Sequence, residues 1–223
     1  MQILFFFILF SYNESMIKLS AILYSVAFIG ATGVISASSI SLFNNFYYET
    51  IFVSGSSMYP TLEGNWQKGE PGQADYGIVD NSYGAKKSLK RYQIVTTHYF
   101  EQDESYKIKR VIFLPGETFK VEDNDLFIYK NEEWYQLPVP YDRNIIPDVT
   151  SRNYPVTTLK ENEYFLSGDN YVASYDSFSL GPVSFDLLVG VVVRMEGKCK
   201  VEDGKVVEKE EYESPRYFLG VDY

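Results

Sequence analysis

Hydrophobic and polar positions divide the chain into one long apolar run and a series of short segments. Residues 19–43 carry no charged side chain and are apolar or small, a length that spans a bilayer as one helix. Beyond the run, apolar and β-branched stretches alternate with polar turns, which predicts strands at 51–53, 76–80, 92–100, 106–114, 118–122, 125–129, 164–167 and 187–195. Short strands at this spacing predict an all-β barrel or sandwich.

The long apolar run predicts a membrane anchor at residues 19–45. The alternatives are a buried core helix or a cleaved signal peptide, for which the small residues around Ser38 resemble a cleavage site. The run is long for a signal peptide, which favours a retained anchor. The apolar segment 1–12 is too short to cross a bilayer as a helix. Residues 1–18 are interpreted as a separate amino-terminal segment. Met16 is an alternative start, from which residues 1–15 would be absent.

Charges on either side of the run indicate its orientation. Lys18 precedes the run, whereas Glu49 and Glu63 follow it. Since lysine and arginine tend to stay on the cytoplasmic side of a membrane, we expect the amino terminus inside the cell and the remaining chain outside. The expected location is the cell membrane, with a single span and an extracytoplasmic folded domain.

Composition restricts the possible functions. The 223 residues have a formal net charge of −10, which disfavours binding to nucleic acid and to anionic lipid head groups. Cys199 is the one cysteine, so no internal disulfide is possible, and it has no Cys or His neighbours at metal-ligand spacing. His98 lies in a strand-like run and is interpreted as a packed strand residue. We expect neither a metal nor an organic cofactor.

A candidate nucleophile follows the first predicted strand. Residues 51–62 read Ile-Phe-Val-Ser-Gly-Ser-Ser-Met-Tyr-Pro-Thr-Leu, which places Ser57 beside the apolar Met58 in a turn. The segment alone is compatible with an ordinary hydroxyl-rich turn or with a nucleophile held at a strand end. Because a serine hydroxyl is a weak nucleophile, the second interpretation requires a base elsewhere in the chain.

Two lysines on a predicted strand are candidates for that base. The segment 106–112 alternates, so Lys107 and Lys109 face one way and Ile108 and Arg110 the other. Taken by itself, this alternation favours two lysines on a solvated outer face.

Three motifs occur in order after the apolar run. They are Ser-Met-Tyr-Pro-Thr-Leu, then Lys-Arg-Val-Ile-Phe-Leu-Pro-Gly-Glu, and finally Ser-Gly-Asp-Asn, Ser-Tyr-Asp-Ser and Leu-Gly-Pro-Val. Together they resemble the bacterial type I signal peptidases, which are serine/lysine-dyad membrane proteases. The resemblance covers the apolar run and roughly residues 45–195. It implies a mainly β, antiparallel, barrel-like catalytic domain at 46–196, with an insertion at about 130–160 and a charged extension at 197–223.

The resemblance assigns Ser57 as nucleophile and Lys109 as general base. The implied supporting residues are Ser174, which hydrogen-bonds the lysine, Asp169, which pairs with Arg110, and Asp176, which supports the site from behind. The amine must be neutral to act as a base, and burial among apolar side chains would lower its pKa. The apolar residues expected to bind substrate are Val53, Met58 and Ile108, and the Ser57 backbone N–H is the expected oxyanion donor.

The chain departs from the family pattern at several positions. Gly55 stands where some members have a serine that adds an oxyanion contact. The family's Gly-Leu-Pro-Gly-Asp is Phe-Leu-Pro-Gly-Glu at 113–117, and Tyr92-Gln93 replaces a Gly-Asp. Phe178 replaces an arginine and removes a possible ion pair.

These features predict a membrane-anchored endopeptidase that removes signal peptides from translocated preproteins. The resemblance implies a preference for small side chains at the first and third positions before the cut. The expected partners are preprotein signal peptides and membrane lipid, and the secretion translocon is a further candidate. Nucleic acid is not an expected partner. One alternative is a non-enzymatic, membrane-anchored binding protein on the same scaffold. Another is a self-cleaving repressor-type regulator, which the apolar run and the negative charge disfavour.

Overall fold

In the computed structural model, the described part of the chain contains twelve β-strands, and all of their pairings are antiparallel. That part comprises residues 47–64, 71–102, 105–139, 151–202 and 205–221. The predicted anchor at 19–45 and the segment 1–18 lie outside it. Within the described ranges, no helix has the length and apolar character needed to span a bilayer.

The larger sheet contains eight strands. They are β1 (Tyr48–Phe52), β2 (Gly72–Asp80), β3 (Ile94–Thr97), β4 (Lys107–Phe113), β9 (Glu163–Ser167), β10 (Val183–Ser184), β11 (Leu188–Glu202) and β12 (Lys205–Tyr217). Their order across the sheet is β1-β2-β11-β3-β4-β9-β10, and β12 pairs with β11. Sequence neighbours β3 and β4 are adjacent, whereas β11 returns from late in the chain to lie between β2 and β3.

The smaller sheet has the order β7-β6-β5-β8. Its strands are β5 (Thr118–Glu122), β6 (Asp125–Lys130), β7 (Glu133–Leu137) and β8 (Tyr154–Thr158). The described residues also form two short helices, α1 (Tyr83–Lys87) and α2 (Ser177–Leu180), and a 3-10 turn at Phe185–Leu187. The prediction of a mainly β fold is confirmed, in the form of two antiparallel sheets.

Strand positions follow the hydrophobic pattern where one face of the strand is buried. The predicted strands at 118–122 and 125–129 are β5 and β6, joined through Asp123 and Asn124, whose φ angles are +49° and +70°. Both conformations suit a tight hairpin turn that Asp and Asn tolerate. Segment 130–160, predicted to be irregular, instead contributes β7 and β8 to the smaller sheet.

Two other segments differ from their predictions. Residues 83–87, for which the sequence pattern predicts no strand, form α1, whose first turn is capped by the Ser82 hydroxyl accepting from the Ala85 N–H at 3.2 Å. Strand β11 continues well past its predicted end, and β12 folds back on it as the arm of a hairpin. The charged extension therefore contains the second arm of a long hairpin.

Two apolar clusters include residues of the segments that carry Ser57 and Lys109. One contains the rings of Phe113, Phe119 and Phe165, with Phe113 and Phe119 stacked at 4.0 Å between centroids. The other packs Met58 and Leu62 against β1, β2 and β11 beneath the turn that carries Ser57. Each fully buried side chain of this kind contributes roughly 1.5–3 kcal/mol relative to exposure, so both clusters anchor the elements that position the site.

Candidate active site

The turn that follows β1 holds Ser57 over the apolar interior. Gly55, two residues before the serine, has a φ of +83°, in the left-handed region that favours glycine. Met58 is 1% exposed and its carbonyl accepts from the Leu62 N–H at 2.9 Å. The buried Met58 thus fixes the turn from below, while Ser57 remains half-buried at the surface.

Lys109 lies in the middle of β4 and points its amine at this turn. Its Nζ is 2.9 Å from the Ser57 Oγ and donates to the Ile108 carbonyl at 3.0 Å. Lys109 is only 3% exposed, whereas Lys107, two residues earlier, is exposed. The interpretation of both lysines as solvated is therefore wrong for Lys109.

Burial sets the protonation of this amine. Removal from water lowers the pKa of Lys109 from its ordinary 10.5 to about 8, because the charged ammonium is poorly solvated there. The charge of Asp176, and to a smaller extent that of Asp169, acts in the opposite direction, while Lys107 lowers the pKa further. Near neutral pH the site therefore holds a usable fraction of neutral amine.

A buried ion pair lies next to the lysine on the same strand. The Arg110 Nε and one terminal nitrogen donate to the two oxygens of Asp169 at 2.8 and 2.6 Å. Asp169 is fully buried, and it also accepts from the Thr61 hydroxyl at 2.5 Å. Arg110 and Asp169 thus form the pair that the resemblance implies, and Thr61 links it to the turn that carries Ser57.

The Arg110 guanidinium also reaches Tyr92, one of the family departures. Its second terminal nitrogen donates to the Tyr92 carbonyl at 2.8 Å. Tyr92 has a φ of +68°, a conformation that glycine adopts without strain and tyrosine does not. The backbone of this turn therefore has the shape that explains a glycine in the family pattern.

Asp176 organises the loop between β9 and α2. Its carboxylate accepts from the Gly168 N–H at 2.9 Å, the Ser167 hydroxyl at 3.2 Å and the Phe178 N–H at 3.1 Å. The bond to Phe178 caps the first turn of α2. The carboxylate is fully buried, so the loop is built around it.

Asn170 joins this loop to the turn that carries Ser57. Its backbone N–H donates to the Ser57 carbonyl at 3.0 Å, and its side-chain amide donates to the Ser56 carbonyl at 3.0 Å. A side chain at Gly168 would collide with the Ser57 carbonyl and the Ser174 hydroxyl, so only glycine allows this close approach. Asn170 and Thr61 were not among the predicted site residues.

The predicted hydrogen bond between Ser174 and Lys109 is not formed. The Ser174 Oγ is buried and has no hydrogen-bond partner in the described part of the chain. It lies against the backbone of Gly168, while the Lys109 amine is directed to Ser57 and to the Ile108 carbonyl. The loop thus places Ser174 near the site without the predicted contact.

A cleft of about 490 Å³ opens beside the serine and the lysine. Its walls include the three residues predicted to bind substrate, Val53, Met58 and Ile108, together with Ser57 and Lys109. The structure therefore brings the predicted nucleophile, base and substrate-binding residues to one place. His98 is not among the residues lining this cleft and packs edge-on against Tyr106 with 6.4 Å between ring centroids.

The known proteins that this chain resembles are signal peptidases. A profile of the family "Signal peptidase, peptidase S26" matches residues 24–195. Signal peptidase I V of Bacillus subtilis (strain 168) is 28% identical over 176 residues, which cover 72% of this chain and 92% of that protein. Signal peptidase I T of the same organism is 29% identical over 164 residues, covering 72% and 80%.

Among solved structures, a signal peptidase I from Enterococcus faecalis V583 matches 48% of this chain and 97% of its own, with 24% identity and a TM-score of 0.40. The family profile extends over more than half of the present chain and includes the segments that carry Ser57, Lys109 and Asp169. The chain therefore belongs to the signal peptidase family, peptidase S26, as a serine peptidase of the bacterial type I signal peptidases.

Proposed function

We propose that this protein is a membrane-anchored endopeptidase that removes signal peptides from translocated preproteins with a Ser57–Lys109 dyad. The observation that carries the proposal is the 2.9 Å separation between the Lys109 amine and the Ser57 hydroxyl, with the amine almost fully buried. A nucleophile within hydrogen-bonding distance of a base of lowered pKa is the arrangement that acyl transfer requires.

The proposed reaction proceeds through an ester. The neutral Lys109 amine takes the proton of the Ser57 hydroxyl as Oγ attacks the scissile carbonyl carbon, and the resulting oxyanion accepts from the Ser57 N–H. The ammonium then gives its proton to the departing amine, and the peptide bond breaks. Water, deprotonated by the same lysine, attacks the ester, releases the carboxylate of the signal peptide and restores the Ser57 hydroxyl.

The ion pair of Arg110 and Asp169 supports this chemistry by position. Because the guanidinium holds both oxygens of Asp169, the carboxylate is directed away from the neighbouring amine. Thr61 and Asn170 connect the pair and its loop to the serine turn. The proposed roles of these residues are to keep Ser57 and Lys109 at reacting distance.

The cleft suits an extended peptide with small side chains. Strand β1 lies at the end of the larger sheet, and in the described part of the chain β4 pairs with β9 only from Arg110 onward. Backbone near Val53 and Ile108 can therefore bind a peptide as an added strand, with main-chain hydrogen bonds for affinity. The apolar walls formed by Val53, Met58 and Ile108 support the preference for small residues at the first and third positions before the cut.

The apolar residues 19–45 support anchoring of this domain in the cell membrane. They are long enough to span, and Lys18 before them favours an extracytoplasmic domain. In that location the cleft meets preproteins as they leave the translocon, at the surface of the lipid bilayer.

Cleavage of a preprotein by the full chain tests the proposal. Its signal peptide should carry alanine at the first and third positions before the cut. Ser57→Ala and Lys109→Ala should each abolish cleavage, and the double variant should be no worse, since the two residues act as a unit. Ser56→Ala and Lys107→Ala are the matched controls and should have mild effects. Activity of either dyad variant above about a tenth of wild type would refute the dyad.

A further inference from the structure

Arg152 lies on segment 130–160, which the family resemblance does not account for. Its guanidinium donates to the buried Asp176 carboxylate at 3.2 and 3.4 Å and to the Ser174 carbonyl at 3.3 Å. It also donates to the Tyr171 carbonyl. The Arg152 side chain is 13% exposed and Asp176 is fully buried, so the pair is largely removed from water.

Two aromatic rings enclose the same guanidinium. The central carbon of Arg152 is 4.6 Å from the centroid of the Tyr171 ring and 4.8 Å from that of Phe178. These distances are within the range of cation–π attraction. Phe178 occupies the position at which the family pattern has an arginine, so here the cation next to Asp176 comes from a different segment of the chain.

The backbone of Arg152 is fixed from the opposite side. Its N–H donates to the Asn124 side-chain oxygen at 2.8 Å, and its carbonyl accepts from the Asn124 N–H at 3.0 Å. On either side of it, Ser151 donates to the Asp123 carboxylate at 2.7 Å, and Asn153 accepts from the Asp123 N–H at 3.0 Å. The β5–β6 turn therefore holds the arginine in place as a rigid support.

The contacts continue from Asp176 to the nucleophile. Asp176 binds the Gly168 N–H, and two residues later Asn170 binds the carbonyls of Ser56 and Ser57. Arg152 thus contacts Tyr171, Ser174 and Asp176 in the short loop that supports the serine, and Asp176 connects it to Gly168 at the start of that loop.

We propose that Arg152 is a positioning residue for the peptidase reaction, which holds the Gly168–Phe178 segment against Ser57 and neutralises the Asp176 charge behind Lys109. The proposal deepens the function above and rests on Lys109 as the base. It assigns a specific task to the segment outside the resemblance, namely to supply the cation that Phe178 cannot.

The charges around Lys109 give this role a measurable consequence. The groups that face the amine or its neighbouring carboxylates are Asp176 and Asp169 from the loop after β9, Lys107 on β4, the paired cations Arg152 and Arg110, and Tyr99 next to Asp176. Without Arg152, the Asp176 charge acts on the ammonium uncompensated. Lys109 then holds its proton to higher pH, whereas a purely structural loss leaves that titration where it was.

The test measures the titration of Lys109 and the rate of cleavage separately. The full chain in detergent micelles, labelled with ¹³C-lysine, reports the Lys109 titration by NMR, with the resonance assigned by its loss in Lys109→Met. In parallel, kcat/KM is measured against pH on a preprotein with alanine at the first and third positions before the cut. The variants are Arg152→Gln and Asp176→Asn, alone and together, with Arg194→Gln as control because Arg194 pairs with Glu196 on β11.

Arg152→Gln should move the Lys109 midpoint to higher pH and lower kcat/KM about tenfold at pH 7. Well above the midpoint, the part of the loss that comes from protonated Lys109 should disappear, and the part that comes from the lost loop contacts should remain. Arg194→Gln should change neither quantity. Asp176→Asn should move the midpoint to lower pH, because it removes a charge that raises the pKa of Lys109, and the double variant should lie between the two single ones. An unchanged midpoint in Arg152→Gln, or a shift to lower pH, would overturn the proposal.

If Arg152→Gln fails to fold, Arg152→Lys replaces it in the same measurements. It keeps the cation but loses the planar fork that contacts several oxygens. Its Lys109 midpoint should stay at the wild-type value while kcat/KM falls, and a moved midpoint would contradict the proposal. Because NMR follows Lys109 directly, this result is independent of the dyad: a failed dyad would show as activity in Lys109→Ala, not as an unmoved midpoint.

Discussion

The Lys109 amine lies 2.9 Å from the Ser57 hydroxyl, although 52 positions separate the two residues in the chain. Strand β4 supplies the lysine from a paired, buried position, and the turn after β1 supplies the serine. The geometry forces a cation-forming group into an apolar environment, where the free energy of the ammonium is raised. The pH dependence of both activity and stability follows from this contact.

Cleavage should increase with pH as Lys109 loses its proton. Because burial lowers the pKa of Lys109 to about 8, kcat/KM should rise through a midpoint near that value. The measurement is a pH–rate profile on a preprotein substrate. His98→Ala should leave the profile unchanged, since His98 is not among the residues lining the cleft. A rise only near pH ~10 would mean that a solvated amine, or another group, is the base.

Lys109→Met should stabilise the folded domain near neutral pH. The pKa of Lys109 is about 8 in the folded chain and about 10.5 when solvated, so folding below pH 8 carries the full cost of the buried ammonium. The gain should be about 3 kcal/mol at pH 7. It should shrink as pH rises from 8 to 10.5, where the wild-type amine becomes neutral on folding.

Denaturant unfolding of the full chain at several pH values measures this gain. Lys107→Met is the matched control, because Lys107 is exposed on the same strand and should give little change. A stabilisation that does not depend on pH would show that apolar packing, rather than the charge, is responsible.

The sequence pattern predicted most strands that have a buried face, and the family motifs singled out Ser57 and Lys109, whose side chains lie together in the structure. Ser57 and Lys109 lie in motifs whose order is specific, and β5 and β6 show clear alternation. Strands β7 and β8 were missed because most of their side chains are exposed, so that pairing with β6 and β5 rather than a buried stripe stabilises them.

Long-range side-chain contacts could not be predicted in the same way. Arg152 lies in a polar segment with no periodic pattern, and its contact with Asp176 exists only after both sheets have formed. Thr61 and Asn170 are residue types common in turns, so their chemistry alone does not single them out. The Ser174 hydroxyl shows the converse, since the family motif implies a bond to Lys109 that its buried Oγ does not make.

Asp169→Asn should strongly destabilise the domain. The substitution leaves the Arg110 guanidinium, which is 5% exposed, without its buried counter-charge, and such losses typically cost about 3–5 kcal/mol. Cleavage should fall as well, because Thr61 loses its acceptor next to the serine turn. Unfolding in denaturant and kcat/KM on a preprotein measure the two effects.

An exposed ion pair offers the control for Asp169. Lys160 is 79% exposed and pairs with Glu163 at 2.7 Å, so Glu163→Gln should cost less than about 1 kcal/mol. Equal destabilisation by the two substitutions would show that the buried pair has no special structural role.

The carboxyl-terminal strand should contribute to the stability of the site. Asp75 on β2 is 1% exposed and accepts from the Glu63 N–H at 2.8 Å, the Tyr212 hydroxyl at 2.5 Å and the Arg216 guanidinium at 3.0 Å. Arg216 also donates to the Thr61 carbonyl at 3.1 Å. Strand β12 is thereby joined to the segment that follows the turn carrying Ser57, although most side chains of β12 are exposed.

Arg216→Gln should lower the free energy of unfolding by about 1–3 kcal/mol, because a buried carboxylate loses a charged donor. It should also reduce kcat/KM through the Thr61 segment, without moving the pH midpoint, since Arg216 is not among the charges that act on Lys109. Denaturant unfolding and a pH–rate profile test both statements. Glu213→Gln, on an exposed position of the same strand, is the control and should change neither quantity. If the two variants behave alike, β12 is only a solvated extension.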